Sequence, residues 1–224
     1  EDFEGMSLML EGQEVQTHFV GRFNASNLIA VYSAACEILQ NAKNEGRDLG
    51  ISHEDLLVKV SELVPVNGRF ESIRSPKGFS AIIDYAHTPD ALYKAIMCLK
   101  DFCDGDVVCV FGCGGDRSHE RRFGMGRVAG NNSDYTVITS DNPRTEEPEA
   151  IINMIVTGIS ETSGKYEIEI NRKTAIEKAV RMAKPGDLVL IAGKGHEDYQ
   201  EVNGVKAHFD DYEVASDAIA NLEV

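Results

Sequence analysis

Basic residues are scarce in this sequence. Its 224 residues hold 22 Lys and Arg against 37 Asp and Glu, a formal net charge of -15, and no run of Lys or Arg makes a local basic stripe. A surface this acidic repels phosphate backbones, so a nucleic acid is not expected as a partner, and a polybasic membrane anchor is excluded for the same reason. No apolar run approaches the ~18 residues needed to span a bilayer, and the N-terminus lacks the basic and apolar regions of a signal peptide. The chain reads as cytoplasmic. Its cysteines, Cys36, Cys98, Cys103, Cys109 and Cys113, are odd in number and contain no C-x-x-C pair, which argues against both a disulfide framework and a zinc knuckle. A Walker A loop is missing too: Gly193-Lys194 is followed by Gly195, and Gly164-Lys165 by Tyr166. Residue 1 is Glu rather than an initiator Met, and a piece of a longer protein is expected. At this length, 42% hydrophobic residues suffice for a real core, so disorder does not describe the whole chain.

The first 66 residues predict two short strands, Met6–Leu10 and Glu14–Val20, around a Glu11-Gly12 turn. A helix over Asn27–Leu39 follows, and another short helix is capped by Ser52-His53-Glu54-Asp55. Pro65-Val66-Asn67-Gly68 is turn chemistry, and a domain boundary is placed there, separating residues 1–66 from 67–224. Beyond it, strands at Ser80–Asp84, Val107–Phe111, Tyr135–Thr139, Tyr166–Ile170 and Leu188–Ala192 alternate with helices at Asp90–Phe102, Arg122–Asn131, Glu147–Ser160 and Lys173–Ala183. An Asn203-Gly204 hairpin and a helix over Tyr212–Leu222 close the chain. The pattern predicts an α/β fold, Rossmann-like, with a mostly parallel sheet and helices on both faces.

Ligands bind outside the carboxyl ends of the strands of such a sheet, where loops meet helix N-termini. Here those ends lead into Asp84-Tyr85-Ala86-His87-Thr88-Pro89-Asp90, Gly112-Cys113-Gly114-Gly115-Asp116-Arg117, Asp141-Asn142-Pro143-Arg144 and Gly193-Lys194-Gly195-His196-Glu197. Together the loops offer guanidinium groups (Arg117, Arg144), an amide (Asn142) and carboxylates (Asp116, Asp141, Glu197), partners suited to an amino acid. Cys113 to Arg117 is too short for a phosphate-cradling thiolate loop. Gly124-Met125-Gly126 with Gly130 misses the dinucleotide spacing, and its expected role is helix packing. His18, His53 and His208 have no ligand-like partners in sequence. Glu146-Glu147 and Asp210-Asp211 read as acids at helix N-termini, favoured by the helix dipole.

DYAHTPD (84–90), GCGGDR (112–117), DNPRTEEP (141–148) and AGKGHEDYQ (192–200), with GRFNASN (21–27) and NGRFE (67–71), resemble the motifs of the Mur ligases. In that family the closest likeness is to the branch that adds meso-diaminopimelate to the peptidoglycan stem. The resemblance covers residues 21–224. It implies ATP-dependent amide formation through an acyl phosphate, with UDP-N-acetylmuramoyl-L-alanyl-D-glutamate as the acceptor. Residues 1–66 would then be the tail of the central ATPase domain, and residues 67–224 the domain that brings the amino acid. The phosphate-binding Lys and most ligands of Mg2+ would lie upstream, leaving this chain without metal ligands and unable to turn over alone.

Position by position, the resemblance assigns Arg117, Asp141, Asn142, Pro143, Arg144, Gly193 and Glu197 to the amino-acid pocket. Arg144 would take the second carboxylate that diaminopimelate has and lysine lacks, Arg117 a carboxylate, and Glu197 the distal ammonium. It assigns Asn24 and Asn27 to adenine, and Arg69, Asp84, Tyr85 and His87 to the neighbourhood of ATP. Phe70 and Arg122-Phe123 depart from the common pattern beside these motifs. Other readings stay open: Asn24 and Asn27 as helix caps, His87 as a loop histidine, a ligase adding L-lysine or another amino acid, and a non-catalytic amino-acid-binding module. A monomer is expected.

Overall fold

The computed structural model describes residues 5–222. The chain divides into two compact units, Glu1–Pro65 and Val66–Val224. In the first, β1 (Met6–Leu10) and β2 (Gln13–Thr17) pair antiparallel. Glu11 and Gly12 join them at φ 48° and 81°, the left-handed conformation that a tight two-residue hairpin turn requires.

Helix α1 (Arg22–Asn44) is longer at both ends than expected, and its N-cap is Gly21. Asn24 and Asn27 therefore lie inside the helix, and neither caps it. A cap needs a side-chain oxygen that accepts from the first free N–H groups, whereas the Asn24 amide donates back to Val20 O at 2.8 Å and the Asn27 amide donates to Asn24 Oδ1 at 3.3 Å. Helix α2 (His53–Ser61) does begin with a reciprocal box between Ser52 and Asp55. Leu10, Val15, Leu28, Tyr32, Leu57 and Val60 make the small core of this unit.

The second unit is built on a six-stranded sheet. In chain order its elements are β3 (Arg69–Arg74), β4 (Ser80–Asp84), α3 (Pro89–Lys100), β5 (Val107–Phe111), α4 (His119–Asn132), β6 (Tyr135–Ile138), α5 (Pro148–Ile159), β7 (Tyr166–Ile168), α6 (Arg172–Met182) and β8 (Leu188–Ala192). A hairpin, β9 (Tyr199–Val202) and β10 (Val205–His208), and the last helix α7 (Asp211–Ala220) follow. The strand order is β3-β4-β8-β5-β6-β7, parallel except for β3, which pairs antiparallel to β4 at the edge. Sequence reasoning did not anticipate β3, whose alternation is interrupted by a bulge between Arg69 and Glu71 and by Phe70 at φ 56°.

Parallel crossovers are right-handed. The chain moves in one direction from β4 through β5 and β6 to β7, then returns to β8, so α3, α4 and α5 cover one face and α6 the other. Ile83, Val110 and Ile191 accordingly pack with Ala175, Ile176 and Val180 of α6 and with Ala215 and Ile219 of α7. On the opposite face α4 and α5 cross closely: a Cβ on Gly126 would lie 2.2 Å from Ile155 O, and one on Gly158 2.1 Å from Phe123 O. The glycines of α4 are there for helix packing.

The register also aligns the strand ends. Asp84 and Phe111 both sit opposite Ala192, and Phe111 opposite Ile138. The loops after β4, β5, β6 and β8 thus emerge at one level.

Candidate active site

Each of the four loops is pinned before it presents anything. After β4, Asp84 accepts from Phe70 N (3.0 Å) and Ala86 N (2.9 Å), which ties the loop to β3. Burial pushes its carboxyl above the usual range, opposed by these N–H groups. Tyr85 stands beyond it with the Arg69 guanidinium 4.7 Å from its ring centre and the His87 ring edge-on at 4.6 Å. His87 is exposed and its Nδ1 meets Tyr85 O at 2.8 Å.

After β5, the glycine loop fits against the loop after β6. A Cβ on Gly115 would lie 1.8 Å from Pro143 O, and Gly115 N donates to Asn142 O at 2.8 Å. Arg122, wholly buried in the first turns of α4, clamps the two loops through Glu146 Oε1 and Oε2, both at 2.7 Å, and through Gly114 O at 3.2 Å. That pair holds the Glu146 carboxyl down at about 2. Glu146 is therefore a buried arginine's partner rather than simply an acid at a helix N-terminus. Asp211 differs from its expected role in the same way: it binds Arg172 through both oxygens (2.8 and 2.7 Å), and both side chains are fully buried.

Arg144 adopts φ 53°, a conformation uncommon for a residue with a side chain. Backbone pairing with Glu201 (3.0 Å) and Asn203 (2.6 Å) of the β9–β10 hairpin enforces it. Its Nη1 donates to Gly115 O at 2.7 Å, and its Nε lies 3.9 Å from Glu201 Oε2. Asp141 and Asn142 are buried, and Glu197 accepts from Asn142 Nδ2 at 2.7 Å and from the Tyr85 hydroxyl at 3.4 Å.

A cavity of about 120 Å³ opens where these loops meet, lined by Arg117, Asp141, Asn142, Arg144, Gly193 and Glu197, together with Tyr85, His87 and the α4 arginines. Cys113 lines it too, but burial pushes its thiol up to about 12, which removes it as a nucleophile. The lining carries more cationic than anionic groups in a chain of net charge -15.

A family model described as Mur ligase, glutamate ligase domain, matches residues 68–195, more than half of the sequence, with the first three loops whole and the fourth as far as Gly195. The chain belongs to the Mur ligase family. Curated relatives named UDP-N-acetylmuramoyl-L-alanyl-D-glutamate--2,6-diaminopimelate ligase include one from Phocaeicola vulgatus, 48% identical over 222 residues, which are 98% of this chain and 44% of the relative. Another, from Clostridioides difficile, is 46% identical over 202 residues, covering 90% and 40%. A solved structure of a ligase of the same name is 35% identical, with a TM-score of 0.70, and aligns with 98% of this chain and 43% of its own. MurC from Thermotoga maritima, at 17% identity and a TM-score of 0.59, shares the fold. The chain spans less than half the length of these Mur ligases.

The Mur ligase loops thus bring seven sequence-predicted residues to the cavity wall or next to it: Arg117, Asp141, Asn142, Pro143, Arg144, Gly193 and Glu197. Tyr85 and His87 line the same wall, with Arg69 against Tyr85, while both oxygens of Asp84 are spent on backbone N–H groups. Asn24 and Asn27 belong to the other unit. Sequence reasoning passed over Arg121, which lines the cavity from the first turn of α4. A signal was available, because two arginines in the first turns of a helix oppose its dipole. It also passed over Lys194, which is fully buried.

No described helix is long and apolar enough to cross a membrane. Three possible metal ligands, Glu11, Cys36 and His53, come within 4.8 Å of one another in the first unit, so His53 does have partners there. That group is largely exposed and separate from the predicted residues.

Proposed function

We propose that this chain is the C-terminal, amino-acid-delivering part of an ATP-dependent ligase that joins meso-diaminopimelate to UDP-N-acetylmuramoyl-L-alanyl-D-glutamate. On this reading residues 1–66 are the end of the central ATP-binding domain and residues 67–224 the amino-acid-binding domain of a cytoplasmic monomer. The observation that carries it is the cavity wall, where Arg117, Arg121 and Arg144 stand beside Asn142, Asp141 and Glu197. Guanidinium groups match carboxylates and carboxylates match ammonium groups, and diaminopimelate has two of each. L-Lysine, with one carboxylate, would leave cationic groups of this wall unanswered.

ATP supplies the activation: its γ-phosphoryl group passes to a carboxylate oxygen of the acceptor, giving an acyl phosphate and releasing ADP. The amine nitrogen of the held amino acid then attacks the acyl carbon, phosphate leaves with the bonding pair, and the nitrogen gives up a proton. The residues of this chain fit the amino acid better than the nucleotide. No Walker A loop is present, and the described acids near the cavity are engaged by backbone or amide groups rather than grouped as an oxygen-rich Mg2+ site. The domain's contribution is therefore binding and orientation of the amine. A Mur ligase of the same fold, MurF from Thermotoga maritima, has been solved in complex with ADP.

Calorimetric titration of the chain with meso-diaminopimelate and with L-lysine tests the reading. Preferential uptake of meso-diaminopimelate is expected. Equal or stronger binding of L-lysine would overturn it.

A further inference from the structure

Lys194 is a charge with no exposure at all. It follows β8 between Gly193 and Gly195, whose φ values of 118° and 52° turn the backbone so that the side chain runs inward. Its ammonium donates to Tyr199 O and to Asn142 Oδ1 (3.2 Å), and lies 3.7 Å from Glu197 Oε2. Three donors thus face three oxygens, which is the capacity of an ammonium group. Burying a charge is costly, and an apolar side chain of similar length would fill the space without that cost. The charge has a consequence at Asn142.

Asn142 is 1% exposed and lines the cavity. Its Oδ1 accepts from Lys194 Nζ and from Glu201 N at 2.9 Å, while one hydrogen of its Nδ2 goes to Glu197 Oε2 at 2.7 Å. Flipping the amide would set its NH2 against two donors and its oxygen against a carboxylate. The orientation is therefore fixed by three groups, and the second Nδ2 hydrogen remains available to a ligand.

We propose that Lys194 is a positioning residue for the amino-acid substrate: it locks the Asn142 amide as a hydrogen-bond donor toward a substrate carboxylate and balances the charge of Glu197 beside it. This rests on the reading of the cavity as an amino-acid site. Without Lys194 the amide loses one of its three locks, and Glu197 loses its neighbouring cation.

The test is calorimetric titration of the chain with meso-diaminopimelate, comparing the unmodified protein with Lys194→Met, Asn142→Ala and the double variant. Lys194→Met should weaken binding between about tenfold and a hundredfold, the range set by loss of a hydrogen bond to a charged group. In the Asn142→Ala background the same change should cost much less, because no amide is left to orient. A merely structural lysine would lower the melting temperature and give additive effects on affinity, and that result would overturn the proposal. Lys194→Gln, which can still donate to Asn142 Oδ1, should recover part of the affinity. If neither Lys194 variant folds, the residue is structural and the proposal fails. Uptake of L-lysine in place of diaminopimelate would defeat the proposed function while leaving the lock to be measured with L-lysine. No uptake of either by the unmodified chain would defeat both.

Discussion

At the scale of single residues, the candidate site depends on arginines used in two different ways. Arg122 is spent inside the protein on Glu146, whereas Arg117 is exposed and donates only to the Asp116 carbonyl (3.2 Å) among the described groups. Arg144 lies between these cases: its Nη1 is on Gly115 O and its Nε is 3.9 Å from Glu201 Oε2, yet the residue also lines the cavity. Truncating it should weaken meso-diaminopimelate binding by about 1.5–3 kcal/mol, the worth of a hydrogen bond to a charged group, and leave L-lysine nearly unaffected. Competitive titration of Arg144→Ala with the two amino acids checks this, and an equal loss for both would remove Arg144 from the selectivity argument.

Glu146 gives a pH prediction. Arg122 depresses its folded-state pKa to about 2, below the ordinary carboxylate value. The stability this contributes is present above the unfolded pKa of about 4.3 and lost as pH falls through about 2. Glu146→Gln should therefore be less stable than the parent at pH 7, with a shallower fall in stability between about pH 5 and 2, as read by chemical denaturation across that range. The place of Arg144 at the cavity was legible in the sequence because its neighbours form a contiguous motif. The role of Glu146 was not, because its partner is 24 positions away and only the α4 and β6 loop geometry brings them together.

At the scale of elements, the parallel strands and their helices could be read directly from the sequence, since β5 and β8 are continuous apolar runs buried on both faces. The antiparallel β3 could not, because a bulge interrupts its alternation and it is itself the edge strand of the sheet. Contacts that join elements were equally hidden. Arg172, at the start of α6, donates to Ser140 O (3.3 Å) and Ala192 O (3.0 Å) while it binds Asp211 at the start of α7. It holds the carboxyl ends of β6 and β8 at fixed separation, and with them the loops that carry Asn142 and Lys194. Asp211→Asn leaves a buried guanidinium without its counter-charge, and a loss of about 3–5 kcal/mol is expected on denaturation. A loss below about 1 kcal/mol would mean that the backbone carbonyls satisfy Arg172 unaided. The α4–α5 crossing is similarly intolerant: Gly126→Ala forces a methyl against the Ile155 carbonyl and should cost about 1–3 kcal/mol, or more if the backbone cannot yield.

At the scale of the whole molecule, net charge and site charge have opposite signs. The chain carries -15 overall, yet the rim that collects the candidate site residues is arginine-rich. The acidic total argues against polyanionic partners, while a zwitterion with two carboxylates and two ammonium groups meets only the local field. On the proposed reading the sequence supplies binding groups, and it contains no Walker A motif. An amine attacks a carboxylate productively only after the carboxylate has gained a leaving group, and a phosphate is transferred only where backbone N–H groups and a cation cradle the donor. Neither Gly193-Lys194-Gly195 nor Gly164-Lys165-Tyr166 makes such a cradle, and Lys194 is turned inward onto protein oxygens. Two activities should therefore separate. The chain should bind meso-diaminopimelate in a titration, and the same preparation, given ATP, Mg2+, UDP-N-acetylmuramoyl-L-alanyl-D-glutamate and the amino acid, should release no ADP above the enzyme-free rate. ADP release proportional to protein concentration would mean that a phosphate site exists within these residues, and the proposed division between binding here and activation elsewhere would fall.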